Sequence, residues 1–335
     1  MKSWQVIGPG REGLRLVETE KPFPHTGEVL VKVGAVSLNY RDRLMIEKNA
    51  YATYGLPFTP CSDLAGRVEA LGSGVNRFSV GDCVINNFTA GWLAGPPPRA
   101  AGVIPSFGGP IQGVLSEYVA VPAEWLTKAP VGLSTVEAST LPCAGLTAWT
   151  SLIELGGLKP GQIVLVQGTG GVSLFALQFA CAADAEVIVT TTTDEKMERV
   201  KALGARHVIN RVASTDWAAR VMQLTGGRGA DHIIEVAGGT NLGASVTALA
   251  PGGQIYLIGV IESFDGTFPS VPAMHAFASI RAVFVGNRDG LGNMVRAIDV
   301  NGLKPIIDSE VDFEEFPSAL DRLGRGPFGK VVVRV

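Results

Sequence analysis

The chain has 335 residues, 46% of them hydrophobic and 18% charged, with a formal net charge of −3. Such a length and apolar fraction suffice for about two globular domains. The slight acidic balance, without an excess of Lys or Arg, argues against nucleic acid or an anionic membrane surface as a partner.

No window approaches the ~18 consecutive apolar residues of a membrane helix, and the opening Met1-Lys2-Ser3-Trp4-Gln5-Val6 lacks the pattern of a signal peptide. A cytoplasmic protein with no membrane partner is expected. The four cysteines, Cys61, Cys83, Cys143 and Cys181, form no CxxC pair, so they read as reduced, buried thiols rather than a disulfide framework or a Cys-rich zinc lobe.

From Glu28 to about Val121 short β-rich runs alternate with turns: Glu28–Val33, Gly66–Gly72 and Gly81–Ile85. The Gly- and Pro-rich stretch Gly91–Gly113 predicts a surface loop. After Pro130 the rhythm changes. A capping box, Ser134-Thr135-Val136-Glu137, opens a helix. Apolar strand runs then recur at Ile163–Val166, Glu186–Val189, His207–Ile209, His232–Val236 and Gln254–Ile258, most of them separated by helical patterns. That alternation predicts an α/β fold, a doubly wound parallel (Rossmann) sheet beside a mainly β domain. The predicted boundaries place residues 126–270 in the nucleotide-binding domain. Residues 1–125 and 271–335 form the other, because the last run, Lys330–Val335, is a strand with no helix after it.

The strand Ile163–Val166 leads directly into Gly168-Thr169-Gly170-Gly171-Val172-Ser173 and then into a helical run. Strand, glycine loop and helix in this order bind a dinucleotide pyrophosphate: Gly168 allows the tight turn, Gly170 lets the backbone approach, and the helix start attracts the charge. Ser173 stands where the fingerprint has its third glycine and is expected to pack as a small substitute for it. An NAD site has an acidic residue ~20 residues beyond the first glycine, for the ribose 2′-hydroxyl; the matching strand ends in Thr191. Thr191, Thr192 and Lys196, with Arg211 or Arg199 as helpers, are therefore candidates for a 2′-phosphate pocket, and NADP(H) is the expected cofactor. The alternative for this segment is a helix start capped at Thr193 with Lys196 on a solvated face.

These segments, together with Ser37–Asp42, Gly66 through Val84, Leu141–Trp149, Leu203-Gly204-Ala205, Pro251-Gly252-Gly253 and Phe328-Gly329-Lys330, resemble the medium-chain dehydrogenase/reductase superfamily over nearly the whole chain. The likeness is strongest to its zinc-free quinone oxidoreductase-like and alcohol dehydrogenase-like group, which implies that the β domain is a GroES-like catalytic domain. The resemblance further implies Asn39 and Tyr40, with Tyr51 or Tyr54, as hydrogen-bond donors at the reacting centre. Thr147 would lie under the nicotinamide; Gly259, Val260, Val285 and Asn287 would contact its carboxamide end, and Lys330 would join the cofactor set. For the tyrosines the alternative is a core or rim aromatic. In zinc-dependent members the metal is held at positions that match Asn39, Ser62 and Cys143 here. One thiol with an amide and a hydroxyl cannot form a typical N/S zinc site, so no metal is expected. No histidine is assigned a catalytic role.

Without a Lewis acid, conjugated acceptors suit the site, because they spread the charge that the hydride brings. The expected function is NADPH-dependent reduction of quinones or α,β-unsaturated carbonyl compounds. The alternatives are a zinc-free NADP-dependent alcohol or carbonyl dehydrogenase and a non-catalytic NADPH-binding sensor. A small-molecule substrate is expected, and the apolar run Ala282–Gly286 would pair sheet edges in a homodimer.

Overall fold

Alternating valines make Glu28–Ser37 the central strand of a sheet: Val29, Val31 and Val33 are all but fully buried, each contributing roughly 1.5–3 kcal/mol through burial. In the computed structural model, which describes residues 1–98, 104–263 and 265–335, the chain divides into two compact units. One comprises Met1–Leu146 with Val285–Val335, the other Thr147–Phe284.

In the first unit Glu28–Ser37 pairs antiparallel with Asp63–Leu71, with Tyr118–Pro122 and with the last strand, Lys330–Arg334. Cys83–Asn86 and Leu126–Lys128 continue the sheet on one side and Ile307–Asp312 closes it on the other. Val331, Val332 and Val333 are buried, so the end of the chain is part of this unit's core. The unit continues past the expected residue 125 because Leu126–Lys128 pairs with Cys83–Asn86, and because the Cys143 amide donates to Asp63.

The second unit carries a six-stranded sheet, among the described residues, whose paired strands all run parallel. Its order is His207–Asn210, Glu186–Thr191, Ile163–Gln167, Ala230–Glu235, Leu249–Leu257, Ser279–Ala282. Ile163–Gln167 is buried at every residue, as expected of a strand covered on both faces. The chain leaves this strand to one side and later returns on the other, between Ile163–Gln167 and Leu249–Leu257. That reversal creates the topological switch point outside the carboxyl ends of the strands, where doubly wound sheets bind ligands.

The predicted strands recur within a few residues, with one correction. The run Ala282–Gly286 is not a strand: pairing ends at Ala282, and Val285, at φ 56°, has left the extended region. Ser279–Ala282 is instead the sheet's edge. Arg99 to Val103, within the predicted Gly/Pro loop, lie outside the described residues, as does Phe264.

Candidate functional site

In the second unit, the glycine loop follows Gln167 at the switch point. Gly168 has φ 75°, a conformation that costs an L-residue roughly 1–2 kcal/mol. Gly170 has ordinary angles and caps the helix Gly171–Ala182; a Cβ built there meets nothing within 4 Å. The space over Gly170 is thus open, and the amides of Gly171 and Val172 begin a 12-residue helix. Ser173 is buried as expected, but it does more than fill space. Its hydroxyl donates to the Gln167 carbonyl at 2.7 Å, tying the helix start back across the loop.

Thr191 closes the neighbouring strand. It is 2% exposed, and its Oγ1 has no hydrogen-bond partner among the described residues. The Arg211 amide donates to its carbonyl at 2.9 Å, which brings Arg211 beside it. Thr192 is exposed. Thr193 caps the next helix by accepting from the Lys196 amide at 3.3 Å, the structural role that the sequence left open. The nearest downstream carboxylate, Asp194, accepts from Asn210 Nδ2. Thr147 is buried, with its carbonyl accepting from Ser151 Oγ at 2.8 Å. Gly259 sits so close to Val236 that a Cβ would lie 1.9 Å from the Val236 carbonyl oxygen; only glycine fits. Val260, next to it, is partly exposed.

In the first unit, Asn39 precedes the helix Tyr40–Glu47, and its amide donates to Asp42 Oδ2 at 2.7 Å. Its side chain is held at both ends. Lys330 Nζ donates to Asn39 Oδ1 at 2.5 Å, and Asn39 Nδ2 donates to Ser62 Oγ at 3.2 Å. Ser62 donates onward to Asp63 Oδ1 at 2.6 Å, and Asp63 Oδ2 accepts from the Cys143 amide at 3.1 Å. The positions matched to metal ligands, Asn39, Ser62 and Cys143, therefore lie in one hydrogen-bonded network, joined by Lys330 and Asp63.

Burial pushes the Asp63 carboxyl up, and the nearby Lys330 ammonium opposes that shift most strongly. Burial likewise raises Asp42 to about 6, against the pull of the Asn39 amide and Arg41. Cys143 is pushed far up by burial and then by the Asp63 charge, so it stays a thiol at neutral pH. Among the described residues no cluster of three or more His, Cys, Asp or Glu could hold a metal ion.

Of the remaining site candidates, the structure leaves Tyr51 and Lys330 without a polar group available to the site. Tyr51 lies in the core, stacked on Phe58 at 4.6 Å, and its hydroxyl is buried without a partner among the described residues; an aromatic so placed has no polar face to offer. Tyr54 also packs on Phe58. Tyr40, by contrast, is 42% exposed. Lys330 is buried, and its ammonium is committed to the Leu38 carbonyl and Asn39 rather than available to a cofactor. Asn287 is a helix cap: it accepts from the Gly290 amide at 2.8 Å and donates to the Gly95 carbonyl at 3.2 Å. Val285 is buried within the first unit.

Sequence reasoning also missed Glu235. It closes the strand Ala230–Glu235 beside Gln167 and is fully buried. It accepts from Gln167 Nε2 at 2.9 Å, from Ser245 Oγ, from Asn241 Nδ2, and from the amides of Ala237 and Gly238. A carboxylate inside an apolar strand run, Ile233-Ile234-Glu235-Val236, was the available signal.

Comparison with known proteins accords with this geometry. Residues 25–131 match the model of the alcohol dehydrogenase GroES-like domain, and residues 171–299 that of the zinc-binding dehydrogenases. A zinc-type alcohol dehydrogenase-like protein of Schizosaccharomyces pombe is 41% identical, covering 97% of this chain and 96% of the relative. The quinone oxidoreductase of Homo sapiens is 27% identical, over 93% of this chain and 90% of the relative. A solved structure from Sinorhizobium meliloti 1021 superposes with a TM-score of 0.95 at 48% identity, covering 100% of this chain and 98% of the other. A mycobacterial protein solved in complex with NADPH gives a TM-score of 0.82 at 26% identity, with both chains covered in full. No helix among the described residues is long and apolar enough to cross a membrane. With its GroES-like β unit, its parallel dinucleotide-binding sheet and these relatives, the chain belongs to the medium-chain dehydrogenase/reductase superfamily of oxidoreductases.

Proposed function

We propose that this protein is a cytoplasmic, homodimeric NADPH-dependent reductase of quinones or α,β-unsaturated carbonyl compounds that works without zinc. The observation that carries the reading is the donor set at Asn39, Ser62 and Cys143. An amide already bonded to Lys330, a hydroxyl already bonded to Asp63, and a thiol held protonated do not make an N/S metal site. Polarisation of the substrate then falls to hydrogen-bond donors.

Bound NADPH supplies the hydride. The chain's own part is to place it and to stabilise the charge that builds on the acceptor oxygen. Gly168, Thr169, Gly170, Gly171 and Val172 cradle the pyrophosphate. Gly259, Val260 and Thr147 would border the nicotinamide, and Thr191, Thr192, Lys196 and Arg211 would take the 2′-phosphate. Support for NADPH over NADH comes from the residue that ends this strand, Thr191, being a threonine rather than the acidic residue of an NAD site. From the first unit, Tyr40 offers an exposed phenol, and Asn39 Nδ2 carries two hydrogens, of which Ser62 takes one. Each such donor is worth roughly 10²–10³ in kcat where it meets the developing oxyanion. Addition of hydride to the β-carbon of an enone leaves an enolate, and a proton from water completes the saturated ketone.

A second reading is a zinc-free NADP-dependent alcohol or carbonyl dehydrogenase; the Schizosaccharomyces pombe relative's description, zinc-type alcohol dehydrogenase-like, supports its alcohol dehydrogenase part alone. A panel of enones, quinones, ketones and saturated alcohols, with NADPH against NADH and absorbance of the reduced nicotinamide as readout, separates the two. Enone or quinone reduction faster than alcohol oxidation supports the first. Equal turnover of a simple saturated alcohol supports the second.

A further inference from the structure

The buried carboxylate of Glu235 is costly to desolvate, and a Leu or Gln of similar size would pack the same space. What the carboxylate alone provides is a cluster of acceptor sites that can gather donors from several directions. Those donors belong to three different segments. Gln167 Nε2, at 2.9 Å, comes from the residue immediately before the glycine loop. Asn241 Nδ2, at 2.9 Å from Oε2, and Ser245 Oγ come from the helix Asn241–Thr247. The amides of Ala237 and Gly238, at 2.9 and 3.1 Å, come from the loop after Glu235 itself. Asn241 Nδ2 also donates to Gln167 Oε1 at 2.9 Å, and Gln167 Nε2 to Ser245 Oγ at 2.8 Å, so the set is mutually bonded.

The consequences reach beyond the strand end in both directions. Toward the glycine loop, the Gln167 carbonyl receives the Ser173 hydroxyl, which ties in the start of the phosphate-binding helix. Toward the other side, the Glu262 amide donates to the Ala237 carbonyl at 2.8 Å, and Gly238 bridges to Ser263. Gly259 packs its backbone against Val236 with no room for a Cβ. Movement of the Ala237–Gly238 backbone would therefore carry the 259–263 segment with it.

Resting on the cofactor reading above, we infer that Glu235 is a positioning residue: it fixes the 237–239 and 259–263 loops relative to the glycine loop, so that one dinucleotide meets both at once. It touches neither the cofactor nor the substrate in this role; it acts through Gln167, Ala237 and Gly238.

The test uses Glu235→Gln, which keeps the shape but turns an amide NH₂ toward donors, and Asn241→Ala, at a partly exposed position whose loss the fold tolerates better. Dissociation constants are measured by fluorescence titration on the full chain for NADPH and for 2′,5′-ADP, which carries only the adenosine half and its phosphates. The expected result is an NADPH Kd raised on the order of tenfold or more in Glu235→Gln and several-fold in Asn241→Ala. The Kd for 2′,5′-ADP should stay within about twofold, because the glycine loop is still formed. A merely structural role would weaken both ligands alike, and that result overturns the inference, as does an unchanged NADPH Kd in both variants. If the unmutated protein binds neither NADPH nor NADH, both this inference and the cofactor reading fall; if it binds NADPH and the variants match it, this inference alone falls.

Discussion

Replacing Lys330 by Met removes a buried ammonium while keeping the length of the side chain. Lys330 is 4% exposed, and Asp63 beside it is fully buried. The ammonium is the strongest influence opposing the burial that raises Asp63. Its removal leaves a buried carboxyl uncompensated and the Leu38 carbonyl short of a donor, which together should cost roughly 3–5 kcal/mol near pH 7. In a unit of this size each kcal/mol lowers Tm by about 2–4 °C.

The pH dependence is the sharper part of this prediction. Asp63 has a folded-state pKa above its ordinary 3.8, so between those values the native state holds a proton that the unfolded state has lost. Its contribution to stability falls as pH rises through that window. Without Lys330 the window extends further upward. The variant's deficit should thus be largest at pH 8 and shrink toward pH 5, by at most about 1.4 kcal/mol per pH unit. Urea unfolding of both proteins at pH 5, 6, 7 and 8 measures it, and adding Asp63→Asn to Lys330→Met should recover part of the loss. A deficit below about 1 kcal/mol at pH 8, or one of equal size at every pH, would refute the compensated-charge account.

Three further outcomes are expected. Gly170→Ala should leave Tm unchanged, since Gly170 has ordinary angles and open space around its Cβ position, yet weaken NADPH binding at least about tenfold by filling the pyrophosphate's place; calorimetry and titration together check both halves. Tyr51→Phe should leave kcat and KM intact and change stability by less than about 1 kcal/mol, because the hydroxyl has no partner to lose among the described residues; a large fall in kcat would restore Tyr51 to the reacting centre. His232, held neutral by burial between Tyr256 and Gln162, has a pKa below its ordinary 6.5, so the unfolded state protonates first. Stability should be insensitive to this group above pH 6.5 and fall below it, by up to about 1.4 kcal/mol per pH unit, a slope that His232→Gln abolishes in denaturation curves.

The second unit was the more legible of the two, because its organisation is local. A buried strand, a glycine turn and a helix follow one another within about twenty residues, and each leaves a mark in the sequence through period, φ demands or capping. The Asn287 cap was missed, because the resemblance assigns that residue to the cofactor, although an Asn before Arg288-Asp289-Gly290 can open a helix by the same chemistry as Ser134. What the sequence could not convey were contacts between distant positions. Lys330 meets Asn39 across nearly the whole length of the chain, and nothing adjacent to either residue announces the other. Tyr51 and Tyr40 look alike in sequence, and only packing decides that one ring joins Phe58 in the core and the other reaches the surface. Size alone marks Ser173 in the sequence; its hydroxyl matters because the loop turns back far enough for Gln167 to accept from it.

The central claim is that hydride reaches a conjugated acceptor with no metal to polarise it. The most direct test is the initial rate of NADPH consumption, with a quinone or an enone, by protein dialysed against chelator and shown free of zinc. Saturable turnover that survives metal removal, with NADPH preferred to NADH, is the predicted result. Turnover that vanishes with the metal and returns on adding zinc would contradict it.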